Sequence, residues 1–408
     1  MSYHVLPVLY ISYDGMLEPL GQSQVLAYLE QLAEDGPVHL ISFEKQADRT
    51  NAVRMDAMRQ LLETAGIRWY PLAYHKSPSA PATAFDIAAG TLLAVRIARR
   101  EGVGIVHARS YVPALMAISV KAAAGAKFIF DMRGFWADER VDGGLWPANG
   151  RLFRVTKALE RRFLLAADHI VTLTHASARE IATFPYLEGR KLNLTVIPTC
   201  ADLERFSPPV TTSDATPFTF GYLGSVGTWY LFEEVVAFYQ AILKRRPDAR
   251  MLIVNRSEHE YIIKTLRDMG VNEDQYELLA AEHRDVPSLV RRMTVGAAII
   301  KPAYSKIASA PTKLAEYLGC GVPCVGNTKV GDMEAILEGE RVGVALSTFT
   351  DVDHAEATDR LLSLLAEEGT PARCVSTARS LFSLDAGVAA YRGIYLSLTA
   401  PGESAAHA

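Results

Sequence analysis

A chain of 408 residues, 49 % hydrophobic and 22 % charged, has the composition of a globular protein that is too long for one ordinary core, so two or three domains are expected. A net charge of -4 and a pI near 6.2 exclude an electrostatic case for nucleic acid as the main partner. The four cysteines (Cys200, Cys320, Cys324 and Cys374) are too few and too scattered for a disulfide framework or a zinc site, which fits a reduced, cytoplasmic compartment.

The opening "MSYHVLPVLYISYDG" lacks a basic n-region and runs into a polar glycine loop, so it reads as a first strand rather than a signal peptide. No apolar run of membrane-spanning length is expected, because "PALMAISVKAAAGAKFIF" is broken by Lys121 and Lys127. Short β-rich runs at 5–11, 38–43, 104–108, 127–132 and 169–174 alternate with helical patterns such as "SQVLAYLEQLAEDG" (23–36). The rhythm restarts at 218–225, 250–255, 296–302, 322–327 and 342–347, after a linker rich in Pro, Ser and Thr. It predicts an α/β chain with two doubly wound parallel-sheet domains, 1–200 and 201–380. Residues 381–408 add a terminal helix, expected to pack back on the first domain, and a frayed tail.

In open parallel sheets ligands bind beyond the carboxyl ends of the strands, and two facing sheets create a cleft. After the first strand, Gly15 and Gly21 let backbone approach a phosphate or sugar and Ser23 reads as an N-cap, although an ordinary strand-to-helix connection explains the same residues. His107 closes its strand two residues before Arg109; a core histidine with satisfied hydrogen bonds is the alternative. "DMRGFWADE" (131–139) is denser, with Asp131, Arg133, Asp138 and Glu139 interleaved with Phe135 and Trp136. Aromatic faces and charges suit sugar rings, and a carboxylate can take a proton from a hydroxyl; a salt-bridge cluster capping the sheet is the alternative.

In the second half, Gly224, Ser225 and Gly227 form a short nest whose N–H groups can cradle an anion. In "IIKPAYSKIASAPTKLAEYL" (299–318), Lys301 and Lys306 flank a turn of small residues. A helix with Ser309 as N-cap and Pro311, Thr312 and Lys313 in its first turn aims its dipole at the same spot. Glu316 lies about 7.5 Å along the axis from Pro311, so a diphosphate at the helix start leaves a nucleoside ribose near Glu316. An i,i+3 surface salt bridge between Lys313 and Glu316 is the alternative. Asp332 in "VGDMEAIL" either shapes a sugar pocket or caps its own helix. The stretch 151–168 sets Arg151, Arg154, Lys157, Arg161 and Arg162 beside Leu152, Phe153, Leu159, Phe163 and Leu164. It is a basic amphipathic helix that either packs on the sheet or lies on anionic lipid.

In their order and separations these pieces resemble the retaining glycosyltransferases of family 4 with the GT-B fold, over nearly the full chain. "VIPTCADLERFSP" is similar to the family's strand-to-linker signature and "PTKLAEYLGCGVPCV" to its donor-binding helix. The resemblance implies two Rossmann-like domains, an acceptor side in the first and a nucleotide-sugar donor site in the second. It implies transfer of a sugar from a nucleotide diphosphate sugar to a glycan or lipid-linked glycan acceptor, with retained configuration, no metal and no other cofactor. The setting it implies is cell-envelope or exopolysaccharide assembly in the cytoplasm or at the inner membrane face. In the family's E-x7-E motif the second glutamate binds the ribose and falls on Glu316; the first falls on Ala308. The family's Arg and Lys pair is missing around "GSVGTWYLFEE", which leaves Lys301 and Lys306 to carry phosphate charge, and its H-x-H is here His107 with Arg109. Acceptor deprotonation falls to the departing phosphate, or else to Asp131 or Glu139. The rivals are an epimerase on the same fold, a non-catalytic partner subunit, and a Rossmann oxidoreductase, which the missing dinucleotide fingerprint disfavours.

Overall fold

The computed structural model describes residues 5–209, 217–282 and 284–399; the expected frayed tail and the middle of the linker lie outside them. Seven parallel strands form the first sheet: β1 (Val8–Ser12), β2 (Val38–Glu44), β3 (Ile67–Ala73), β4 (Ile105–Arg109), β5 (Lys127–Asp131), β6 (His169–Thr172) and β7 (Leu194–Val196), in the order β3-β2-β1-β4-β5-β6-β7. Six more form the second: β8 (Thr219–Leu223), β9 (Arg250–Val254), β10 (Tyr276–Leu279), β11 (Val295–Ala297), β12 (Cys324–Asn327) and β13 (Gly343–Leu346), in the order β10-β9-β8-β11-β12-β13. The sequence pattern missed β3, β7 and β10.

Alternation along the strands feeds two cores. Leu9, Ile11, Phe43, Ala108 and Phe130 face one side of the first sheet, where Ala94 and Ile97 of α3 (Ser79–Glu101), Ala114 and Ala117 of α4 (Tyr111–Ala124) and Phe163 of α6 (Arg151–Ala166) close over them. Val8, Tyr10, Leu40 and Ile129 face the other side, under Leu29 and Leu32 of α1 (Ala27–Leu32) and Met58 and Leu62 of α2 (Ala52–Thr64). That second core is shared by Val388, Tyr391 and Tyr395 of α10 (Leu384–Thr399), which crosses back from the second domain. The two crossings lie side by side, with Ala201 N donating to Phe382 O at 2.9 Å and Leu384 N to Ala201 O at 3.2 Å.

Three local expectations are corrected. Helix formation after β1 starts at Pro19, whose fixed φ suits a first turn, so Ser23 lies inside the helix and bonds back to Pro19 O at 2.9 Å rather than capping it. The helix expected to bind the donor, α8 (Thr312–Gly319), has Pro311 as its N-cap; proline favours an extended Ala310, and Ser309 stays outside. Among the described residues one helix, α3, is long and apolar enough to cross a membrane, because its arginines gather at one end. Its inner face nevertheless packs into the first core.

Contacts across the cleft hold the two domains closed. Asp332 accepts from His175 N at 2.6 Å and Ala176 N at 2.9 Å, the free amides that open α7 (His175–Ala182) in the opposite domain. Ser305 N donates to Asp142 Oδ2 at 2.9 Å, Thr174 Oγ1 to Ile307 O at 2.7 Å and Tyr304 Oη to Glu180 Oε1 at 2.7 Å.

Candidate active site

On the second domain the site is built around the first turn of α8. Its terminal N–H groups have no intrahelical partner, and Lys313 and Glu316 sit one turn apart on buried positions. The Lys313 ammonium has no hydrogen-bond partner; it lies 3.9 Å over the Tyr230 ring and 4.5 Å over that of Tyr222. A Cβ on Gly224, which follows β8 at φ +99°, would stand 3.5 Å from that ammonium, so the lysine reaches up beneath the glycine loop. Burial lowers Lys313 to about 7 and raises Glu316 to about 7. Among the described residues the two form no ion pair, which overturns the surface salt bridge as an explanation.

The glycine loop is braced from behind. Asn255, just past β9, donates to Gly224 O at 3.0 Å and to Glu258 Oε2 at 2.9 Å, and Glu258 accepts from Val226 N at 3.2 Å. Tyr222 Oη donates to Ser225 O, and Ser225 and Gly227 are left exposed. A cavity of about 250 Å³ runs between the domains at Gln22, Gln24, Arg205, Thr312 and Glu316. A larger one, about 510 Å³, lies beside the start of α8 at Thr174, Ser309, Pro311, Asp332 and Phe382.

The lysines preceding α8 are engaged elsewhere. Lys306 pairs with Glu139 of α5 (Trp136–Asp142) at 2.8 Å and lies 3.7 Å over the Trp229 ring, while Lys301 reaches Asp142 O at 3.4 Å. Two candidates assigned to opposite sides of the cleft, Lys306 and Glu139, thus neutralise each other, and Lys313 is the unspent cation beside the loop. Ala308 is 1 % exposed in the core of the first domain, its carbonyl near Gly134, so this position lines no open pocket.

On the first domain the carboxyl ends of β4 and β5 bring together His107, Arg109, Asp131 and Arg133. Asp131 is fully buried; burial would raise its carboxyl, but Arg133 at 3.9 Å, His107 at 3.7 Å and Arg109 hold it below the usual range. Tyr391 Oη donates to its Oδ2 at 3.0 Å, and Tyr395 Oη meets His107 Nδ1 at 2.8 Å. Burial lowers the pKa of His107, against the pull of Asp131. His107 Nε2 and Asp131 Oδ1 remain buried without a hydrogen-bond partner. Ser110 and Arg133, just past neighbouring strands, both have positive φ (73° and 59°), strain of the kind that gathers at ligand sites.

Gly15 and Gly21 serve packing. A Cβ on Gly21 would stand 2.0 Å from Gly15 O, and one on Gly15 would meet Glu44 Oε2 at 2.7 Å. In that loop Asp14 is 42 % exposed and pairs with Arg109 at 3.3 Å. Sequence reasoning missed Asp14, the Asn255–Glu258 brace and the tyrosines of α10, which reach Asp131 and His107 only because the chain crosses back; the strand ends preceding Asp14 and Asn255 were the available signal.

Comparison with known proteins fits this geometry. The family model described as Glycosyltransferase Family 4 matches residues 22–205, and that described as Glycosyl transferases group 1 matches 204–381. No curated protein matches the sequence. Among solved structures, sucrose-phosphate synthase from Thermosynechococcus elongatus aligns with TM-score 0.70 at 12 % identity, over 96 % of this chain and 99 % of that one. A glycosyltransferase from Rickettsia africae aligns with TM-score 0.70 at 14 % identity, over 98 % and 100 %. Anabaena Alr3699/HepE, solved with UDP and glucose, aligns with TM-score 0.62 at 14 % identity, over 95 % and 99 %. With two abutting family matches that leave only the ends of the chain uncovered, the protein belongs to the family 4 glycosyltransferases of the GT-B fold.

Proposed function

We propose that this enzyme moves a sugar from a nucleotide diphosphate sugar to a hydroxyl of a glycan or lipid-linked glycan, with retained configuration and without a metal ion, in cell-envelope or exopolysaccharide assembly. The carrying observation is the Lys313 ammonium, buried without a hydrogen-bond partner beneath the Gly224 loop and one helical turn from the buried Glu316 carboxylate. HepE, solved with UDP-glucose, supports the donor class.

In this reading the diphosphate lies on the Gly224 loop and the first turn of α8, and Glu316 accepts the ribose hydroxyls. Cleavage of the bond between the anomeric carbon and the β-phosphate oxygen puts negative charge on the phosphate. Lys313 and the free N–H groups face that charge before it develops, in a cleft that excludes water. The departing phosphate takes the acceptor hydroxyl's proton as the new bond forms on the same sugar face. On the first domain, Arg133, held in place by the buried Asp131, orients the acceptor.

Thermal-shift measurements with UDP, GDP, ADP, TDP and CMP, first without metal and then with Mg²⁺, test the donor site. One nucleoside diphosphate raises Tm by mass action without metal, and Glu316→Ala and Lys313→Met lose most of that response. If no nucleotide shifts the wild type, the donor assignment fails.

A further inference from the structure

Helices α3 and α6 flank α4 on one face of the first sheet and share its core, so their outer surfaces belong to one side of the first domain. Only 28 % of the apolar stretch of α3 is buried, and its outer stripe exposes Phe85 (61 %), Ala88 and Leu92 (76 %) at helical spacing. On α6 the exposed large apolar groups are Leu152 and Val155. Isolated surface leucines need no explanation, but four large apolar side chains on one face of a domain do.

Charge is sorted on the same face. Arg96, Arg99 and Arg100 end the α3 stripe, and Arg151, Arg154, Arg161 and Arg162 run along α6, all exposed. The acidic residues of these helices offset only one of them: Asp86 and Glu160 are buried, and Glu101 pairs with Arg68 and Arg100, which leaves Arg96, Arg99 and the four arginines of α6. In a chain of net charge -4 this side is locally cationic.

We infer that the α3 and α6 face is a docking surface for an anionic lipid bilayer, on which the apolar side chains enter the headgroup boundary and the arginines meet lipid phosphates. Apolar groups interleaved with cations suit that boundary, where burial and surface charge attract together. The sequence suggests such a contact for α6 alone, and the fold adds α3. The inference does not rest on the sugar-transfer reading.

Vesicle flotation of the full chain tests it, with phosphatidylcholine vesicles against vesicles that also contain phosphatidylglycerol. The protein floats with the anionic vesicles only, and added salt releases it. Phe85→Ser with Leu92→Ser weakens the binding, and Arg151→Gln with Arg154→Gln weakens it about 30-fold, as the loss of two arginines near a charged surface implies. All four positions are exposed, so Tm holds in both variants. Equal binding to neutral vesicles, no binding to anionic ones, or full binding by the α3 variant overturns the two-helix surface. Displacement from vesicles by a mixed-sequence DNA duplex at low molar excess assigns the face to nucleic acid and overturns it too.

Discussion

Lys313 and Glu316 are legible in "PTKLAEYL" as residue types near a helix start, but not as a buried pair without hydrogen bonds. Their spacing equally fits a surface ion pair, and only the enclosing fold decides, because burial moves both groups to about 7. In the proposed donor site, Glu316 accepts from ribose hydroxyls when ionised, and Lys313 faces phosphate when protonated. Falling pH therefore removes the first interaction and rising pH the second. Affinity for the stabilising nucleoside diphosphate, followed by calorimetry between about pH 5.5 and 9, peaks near neutrality and declines on both sides. Lys313→Met removes the alkaline decline and lowers the maximum; a flat wild-type profile would count against both roles. Gly21 carries the opposite lesson, since a loop glycine read as room for a ligand is room for a neighbouring carbonyl.

At the scale of elements, the central strands announce themselves as apolar runs because both faces are covered. The three strands that went unread are edge strands: β3 and β7 border the first sheet and β10 the second. Most of their residues are half-buried, β7 and β10 are three and four residues long, and β3 carries Pro71, which argues against a strand when read alone. The terminal helix α10 was legible from its amphipathic spacing, but its service to β4 and β5 was not, because that depends on which hydroxyl meets which carboxylate. Tyr391→Phe leaves Asp131 Oδ2 buried without its tyrosine donor. Urea unfolding should show a loss of about 1–3 kcal/mol, whereas Tyr391→Phe at wild-type stability would mean that water replaces the hydroxyl.

For the molecule as a whole, the linker and the repeated strand-helix rhythm give two domains, while the closed state comes from single atoms placed across the cleft. Asp332 is the clearest, an N-cap residue whose carboxylate serves a helix in the other domain. Asp332→Ala removes about 1 kcal/mol from closure, an effect on the open fraction of about fivefold. Small-angle scattering would show it as a larger radius of gyration without nucleotide, and an unchanged radius would mean that the other contacts suffice. The return of α10 to the first domain also sets an order of synthesis. Tyr391 reaches Asp131 across 260 residues of chain, tens of seconds of translation at ordinary rates. A first domain folding as it leaves the ribosome spends that interval with its polar centre incomplete, so sugar transfer begins only once the second domain is made and the chain has crossed back.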